Sequence, residues 1–300
     1  MADQNIDQQI GWLRKLSGTS VMERQALRFV RESIGPLSDR NCLLLTGDAS
    51  GVALDLCEGG GTWKILAASE AGVEIFRHVY AKKASRLKEG ALPFKERAFD
   101  RVVIYDCLEY LPESQPFLME CHRVLKENGR LVVHVPSTKR SRSRALREAL
   151  AASPVSRPTL TPYPATRLFS AVKDGFDVEE DRGYLRFFLG WAESLATSLG
   201  ELAIRGMRNR AVQMGMEAVN EAVAERFFRV RKSMYPLLLL ANALDALLFL
   251  GRGSYVVCRA RRRSFWRPRR TPVLLDGRSI ADATINTKIG TAGPFETGST

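Results

Sequence analysis

Residues 91–136, ALPFKERAFDRVVIYDCLEYLPESQPFLMECHRVLKENGRLVVHVP, decide the fold. RVVIYD (101–106) is a short apolar run, too short for a helix and suited to a buried parallel strand. From Glu113 to Lys126 the residues Phe117, Leu118, Cys121 and Leu125 recur at helical spacing, and Asn128-Gly129 supplies the stop. RLVVHVP (130–136) is apolar again and ends on a proline, which has no N–H to give to a ladder. Strand, helix and strand at this pace are the repeating unit of a parallel sheet covered on both faces.

The pattern extends toward the N-terminus. Ile6, Ile10, Leu13 and Leu16, then Met22, Leu27, Val30 and Ile34, are spaced for two lead-in helices stopped by Gly35-Pro36. CLLLT (42–46) predicts a strand, VALDLCE (52–58) a short helix closed by Gly59-Gly60-Gly61, and TWKILAAS (62–69) a second strand ending at Glu70.

Past Pro136 the pattern loosens. TKRSRSRALREAL (138–150) predicts a basic helix and SPVSRPTLTPYPATRLF (153–169) a proline-rich loop of the kind that shapes a pocket rim. FDVEED (176–181) and SYVVCRA (254–260) are β-like, with an almost entirely helical stretch between them. The economical arrangement makes these two strands sheet neighbours. The segments are therefore residues 1–40 as N-terminal helices, 41–186 as the sheet core, 187–250 as a helical insert or lid, 251–265 as the last strand, and 266–300 as a C-terminal arm. The fold class is α/β, doubly wound and mostly parallel, with the insertion before the last strand.

The chain has 45 Lys and Arg against 33 Asp and Glu, a net charge of +12. Eight arginines and no acid lie between Gly251 and Arg270, so an acidic partner is expected. Cys42, Cys57, Cys107, Cys121 and Cys258 are widely spaced and mostly inside apolar runs, as in a reduced cytoplasmic protein. With no CxxC pair and three histidines, no zinc spacing can be assembled and no metal site is expected. The first residues lack a basic stretch followed by an apolar one, so no signal peptide is read.

Ligands of an open parallel sheet sit beyond the carboxyl ends of the strands, near the topological switch point. Gly47, Asp48, Ala49 and Gly51, Glu70, and Asp106 with Cys107 all fall at such ends. A glycine loop lets backbone approach a ligand, and an acid about twenty residues on, here Glu70, can accept ribose hydroxyls. His122 and His134, inside apolar segments, read as satisfied core histidines, and Glu109 as a structural partner of nearby backbone.

Residues 91–136 resemble the class I S-adenosylmethionine-dependent methyltransferases, above all the small-molecule branch that includes quinone-biosynthesis enzymes. The carriers are Leu92-Pro93-Phe94, Phe99-Asp100, Leu108-Glu109-Tyr110-Leu111, Arg123-Val124-Leu125-Lys126 with Gly129, and Pro136. The resemblance covers about residues 42–182. It implies a Rossmann-like sheet and S-adenosylmethionine held by the 47–51 loop, Glu70, Asp106 and Cys107. It also implies methyl transfer to an apolar or amphiphilic small molecule, with no residue standing out as a general base. Positioning supplies much of the rate in such a displacement.

The first motif departs from the family pattern. Leu45 stands where the family has an acid and Ala49 where it has the middle glycine; Lys88 replaces an adenine-binding Asp, with Glu89 adjacent. These departures keep a second reading open, an inactive methyltransferase-like fold serving as a membrane- or protein-binding scaffold. MYPLLLLANALDALLFL (234–250) is too short for a span and contains Asn242 and Asp245. Basic flanks make 234–270 either a peripheral contact with the anionic inner membrane face or a buried lid. Nucleic acid is disfavoured, because Asp106-Cys107-Leu108-Glu109 is not the motif used on exocyclic amines of bases, and no RNA-binding module is appended.

Overall fold

Leu43, Leu44 and Leu45 are wholly buried because β1 (Asn41–Thr46) lies inside the sheet, parallel to β2 (Thr62–Ala67) on one side and β4 (Phe99–Tyr105) on the other. The computed structural model describes residues 2–88, 90–108, 111, 113–136, 163–213, 221–248 and 253–267. Met1–Trp266 forms one compact unit; a second unit starts at Arg267 and falls almost wholly outside the described residues. The basic helix read at 138–150, most of the proline-rich loop, Glu89, Glu109 and the arm beyond Arg267 also lie outside them.

Seven strands run in the order β3-β2-β1-β4-β5-β7-β6, with β3 at Ala84–Arg86, β5 at Leu125–Pro136, β6 at Phe176–Tyr184 and β7 at Tyr255–Arg262. The first five are parallel. β7 is antiparallel to both β5 and β6, pairing His134 with Val257 and Tyr184 with Tyr255. The order reverses between β1 and β4, which is the switch point where ligands of such sheets bind.

Paired residues share a face of a pleated sheet. Leu44, Val103, Tyr105, Val132 and Val257 therefore enter one core and Leu43, Ile104, Leu131, Val133 and Cys258 the other. The first core is covered by α1 (Ala2–Thr19), α2 (Val21–Ile34), α3 (Gly51–Glu58) and α4 (Glu70–Tyr80), and the second by α5 (Ser114–Val124) and α6 (Ala165–Val172). Continuous apolar strands buried on both sides are what the runs CLLLT and RVVIY require.

The helix read as far as Lys126 stops at Val124. Leu125 is fully buried and pairs with Phe99, and Lys126 Nζ reaches Asp100 Oδ2 at 2.9 Å. Residues 126–129 then loop out, with Asn128 at φ 61°, before Arg130 joins Arg101. Strand pairing of a buried leucine thus overrides helical periodicity.

The insert consists of α7 (Phe187–Gln213), α8 (Glu221–Ser233) and α9 (Tyr235–Leu248). Polar side chains staple it down. Glu193, 4% exposed, receives Arg231 at 2.6 Å and also the Met22 N–H at 3.2 Å. Asp245 accepts the N–H groups of Phe188 and Leu189, capping α7 from α9. Gln25 reaches Asn242 at 2.5 Å, tying α9 to α2. Among the described residues no helix is long and apolar enough to cross a membrane.

Candidate cofactor site at the strand ends

Three strand ends are stitched together where β1 gives way to its loop. The Gly47 N–H donates to the Asp106 carbonyl at 3.0 Å, the Ser69 N–H to the Gly47 carbonyl at 3.0 Å, and the Asp106 N–H to the His134 carbonyl at 3.1 Å. Gly47, Asp48, Ala49 and Asp106 are thereby brought to the switch point.

Inside the loop most polar groups are engaged by the protein itself. Asp48 Oδ1 accepts the Ala49 N–H at 2.8 Å and the Ser69 hydroxyl at 2.5 Å, while Ser69 Oγ accepts the Gly72 N–H at 2.9 Å. Ser50 is buried and caps α3 by accepting the Ala53 N–H at 3.1 Å. Ala49 is 8% exposed and packs into the core, and Leu45 lies wholly in the opposite core.

Two glycines allow close approach here. A Cβ on Gly72 would stand 2.8 Å from Asp48 Oδ1 and 2.9 Å from the Ala49 nitrogen, so its absence lets α4 sit against the loop. A Cβ on Gly51 would stand 2.4 Å from Ser17 Cβ and 2.8 Å from the Leu13 carbonyl. Gly51 thus faces α1, which lies across the loop and is tied at its flanks by Arg14–Glu58 and by Asp7–His78 at 2.8 Å.

Asp106 has φ 44°, a left-handed conformation that costs a non-glycine residue about 1–2 kcal/mol. Its carboxylate lies 2.7 Å from His134 Nδ1, close enough for strong electrostatic contact but not aligned as a straight hydrogen bond. His134 Nε2 is 2.5 Å from the Tyr184 hydroxyl. Cys107, the next residue, is completely buried.

Glu70 is placed elsewhere. It is the first residue of α4, its side chain is 79% exposed, and it pairs with Arg86. Glu70, Val73, Glu74, Arg77 and Arg86 line an open hollow of about 500 Å³ beside the β3 end. The end of β2 itself carries Ala67 and Ala68, not a carboxylate. Lys88 is exposed. Among the described residues no cluster of side chains suits a metal ion.

Residues 40–133, from just before β1 through the middle of β5, match a family model described as a methyltransferase domain. That segment contains the glycine loop, the β2 and β4 ends and the switch point between them. The demethylmenaquinone methyltransferases of two strains of Tropheryma whipplei, Twist and TW08/27, are 46% identical to the chain over 48 residues. The match takes in 16% of this chain and 20% of each relative, so the chain spans about a fifth of the length of the curated relatives it matches. Among solved structures, the [4+2]-cyclase SpnF aligns with a TM-score of 0.49 at 17% identity, over 80% of each chain. Geranyl diphosphate C-methyltransferase of Streptomyces coelicolor A3(2) aligns with a TM-score of 0.48 at 13% identity, over 80% of this chain and 78% of that one.

The strand ends within the matched segment are only partly open to a ligand. Asp48, Ala68, Ser69 and Asp106, each partly exposed, lie at the strand ends beside the loop. The Asp48 and Asp106 side chains remain partly exposed there, while the main-chain groups of Gly47 and Ala49 are bonded within the protein. Glu70 is turned toward Arg86. Ser69, Gly72 and Tyr184 lie beside these strand ends without having been singled out from sequence, and His134, read as a core histidine, is indeed buried but also faces Asp106. Glycine in the first turn of a helix is unfavourable, and a histidine two residues from the end of an apolar strand is anomalous; both signals were present.

Proposed function

We propose that the protein transfers a methyl group from S-adenosylmethionine to an apolar or amphiphilic small molecule. The observation that carries this reading is the coincidence of the 40–133 methyltransferase-domain match with the stitched strand ends, where the Gly47 N–H meets the Asp106 carbonyl. Gly47, Asp48, Ala49, Ser69 and Asp106 would hold the cofactor, and the sulfonium would supply an electrophilic methyl for in-line displacement. The chain's own part is then to bind, orient and exclude water, with α1 as cover over the loop and the α7–α9 insert above the apolar partner. Calorimetry with S-adenosylmethionine and S-adenosylhomocysteine tests the reading: micromolar binding of either supports it, and absence of heat with both overturns it.

The proposed membrane contact is best supported at α9. Its exposed residues from Tyr235 to Leu247 are all apolar: Pro236, Leu239, Leu240, Ala243, Ala246 and Leu247. The arginines of β7 offer less support, because Arg259 pairs with Glu179 and Glu180, Arg263 with Asp177, and Arg262 donates to the His122 carbonyl. An apolar helix face on a protein of net charge +12 suits an anionic lipid surface. Flotation with vesicles containing phosphatidylglycerol should bring the protein up, and Leu240→Glu with Leu247→Glu should abolish it.

A second reading, a scaffold that no longer binds cofactor, is favoured by the engagement of Asp48 and Ser50 within the loop and by alanines at the β2 end. The same calorimetry separates the two.

A further inference from the structure

We propose that His134 is the positioning residue of the cofactor loop, fixing Asp106 in the left-handed conformation from which the Asp106 carbonyl holds the Gly47 N–H. The proposal deepens the cofactor reading, but its geometry stands without it.

The imidazole is fixed on every side. It is 1% exposed and stacked on Tyr105, with ring centres 4.5 Å apart at 11°, and on Tyr255, 5.4 Å apart at 17°. Its two nitrogens face opposite partners, Nδ1 the Asp106 carboxylate at 2.7 Å and Nε2 the Tyr184 hydroxyl at 2.5 Å. With the proton on Nδ1, the ring turns its electropositive N–H edge toward the carboxylate, an electrostatic contact rather than a straight hydrogen bond, and presents an acceptor to the phenol, so one tautomer serves both.

Asp106 needs such a hold. At φ 44° it occupies a conformation that a non-glycine residue keeps only when its surroundings over-determine it. His134 grips it twice, through the main-chain carbonyl that accepts the Asp106 N–H and through the ring beside the carboxylate. The remaining polar group, the Asp106 carbonyl, points to Gly47. Release of the side chain lets the backbone relax toward ordinary φ, which turns that carbonyl away from the loop. A histidine that merely filled core space would need no such chain of contacts to the first loop glycine.

The test compares His134→Leu with His134→Asn, whose side-chain amide can place a donor near the position of Nδ1. Hydrogen exchange at the Gly47 amide is read against the Leu44 amide in the middle of β1. In the leucine variant, exchange at Gly47 should rise about tenfold relative to Leu44, and the asparagine variant should retain most of the protection. S-adenosylhomocysteine affinity, measured by calorimetry, should fall about tenfold in the leucine variant and recover in the asparagine variant. Equal exchange in the two variants, or a parallel rise at Gly47 and Leu44, overturns the proposal. If wild-type protein binds no cofactor, the cofactor reading fails while the exchange comparison still decides this inference. Should His134→Leu not fold, Asp106→Asn and Asp106→Ala make the same comparison from the other side, with Gly47 protection expected to survive in the first and not in the second.

Discussion

Asp245, near the end of α9, accepts the Phe188 and Leu189 N–H groups at 2.8 and 2.9 Å, so a carboxylate in an apolar helix caps the start of another helix. The acid that argues against a membrane span in the sequence is therefore the clamp of the helical insert. Asp245→Ala should lower stability by about 2 kcal/mol, since it leaves two orphaned N–H groups in a buried place. Asp245→Asn should recover part of the loss; the urea midpoint of each variant is the measurement.

Glu193 and Arg231 form an ion pair at 2.6 Å with side chains only 5% and 10% exposed. Removing one partner strands the other, so Glu193→Leu and Arg231→Met should each cost about 3–5 kcal/mol. The double variant should be far milder than the sum, because both charges leave together. Strict additivity in denaturant titrations would show that the pair is not coupled.

Acid should weaken the fold through two carboxylates. The Arg123 guanidinium and the Leu92 N–H hold the Glu120 carboxyl below its ordinary range, against some burial. At Asp100 burial raises the carboxyl, but Lys126, the Asn41 N–H and Arg40 outweigh it and the net direction is down. Groups lowered in the folded state bind fewer protons there than in the unfolded chain, so their stabilisation is complete above the ordinary carboxylate range and is lost as pH falls through the lowered values. The denaturation midpoint should fall below about pH 4, and less steeply in Glu120→Gln.

The placement of Glu70 against Arg86 and of Asp48 inside the loop separates two acids that the sequence treats alike. Asp48→Ala should weaken S-adenosylhomocysteine binding about tenfold or more, and Glu70→Ala by less than about threefold, as read by calorimetry. The reverse order would mean that Glu70 swings to the ribose on binding.

Gly51→Ala should disturb α1 rather than the loop, since the added methyl meets Ser17 and the Leu13 carbonyl. A loss of about 1–3 kcal/mol is expected from overpacking. Faster proteolysis within residues 2–19 would locate the effect.

The sheet was legible because its determinants are local. CLLLT, RVVIY and RLVVHVP are short, apolar and bounded by turn residues, and each is a strand in the structure. The pairing of Phe176–Asp181 with Ser254–Ala260 was also readable, by economy of topology. The site was legible only in part. Gly47, Asp48, Ala49 and Asp106 meet at the switch point, as strand-end positions dictate. Gly51 was read as approaching a ligand, but what it approaches is α1, a partner far away in sequence. Ser69, Gly72 and Tyr184 escaped, and His134 was read only as a core histidine, because their contacts run across the sheet, which spacing along the chain does not encode. The arginines between Gly251 and Arg270 suggested an acidic partner. For Arg259 and Arg263 the acids, Glu179, Glu180 and Asp177, sit on β6, and only strand pairing brings the two charges together.

β7 lies between β5 and β6, yet among the described residues it is the last strand to be synthesised. Until Tyr255–Arg262 leaves the ribosome, β5 and β6 each present an unpaired hydrogen-bonding edge, with the whole α7–α9 insert already made. Nascent or truncated chains ending before residue 255 therefore display the apolar edge of β5 and the acidic edge of β6 without their partner, and the β5 edge invites pairing with other chains. Completion of this protein is a keystone event, and chains cut short of that strand should accumulate as aggregates rather than as soluble fragments.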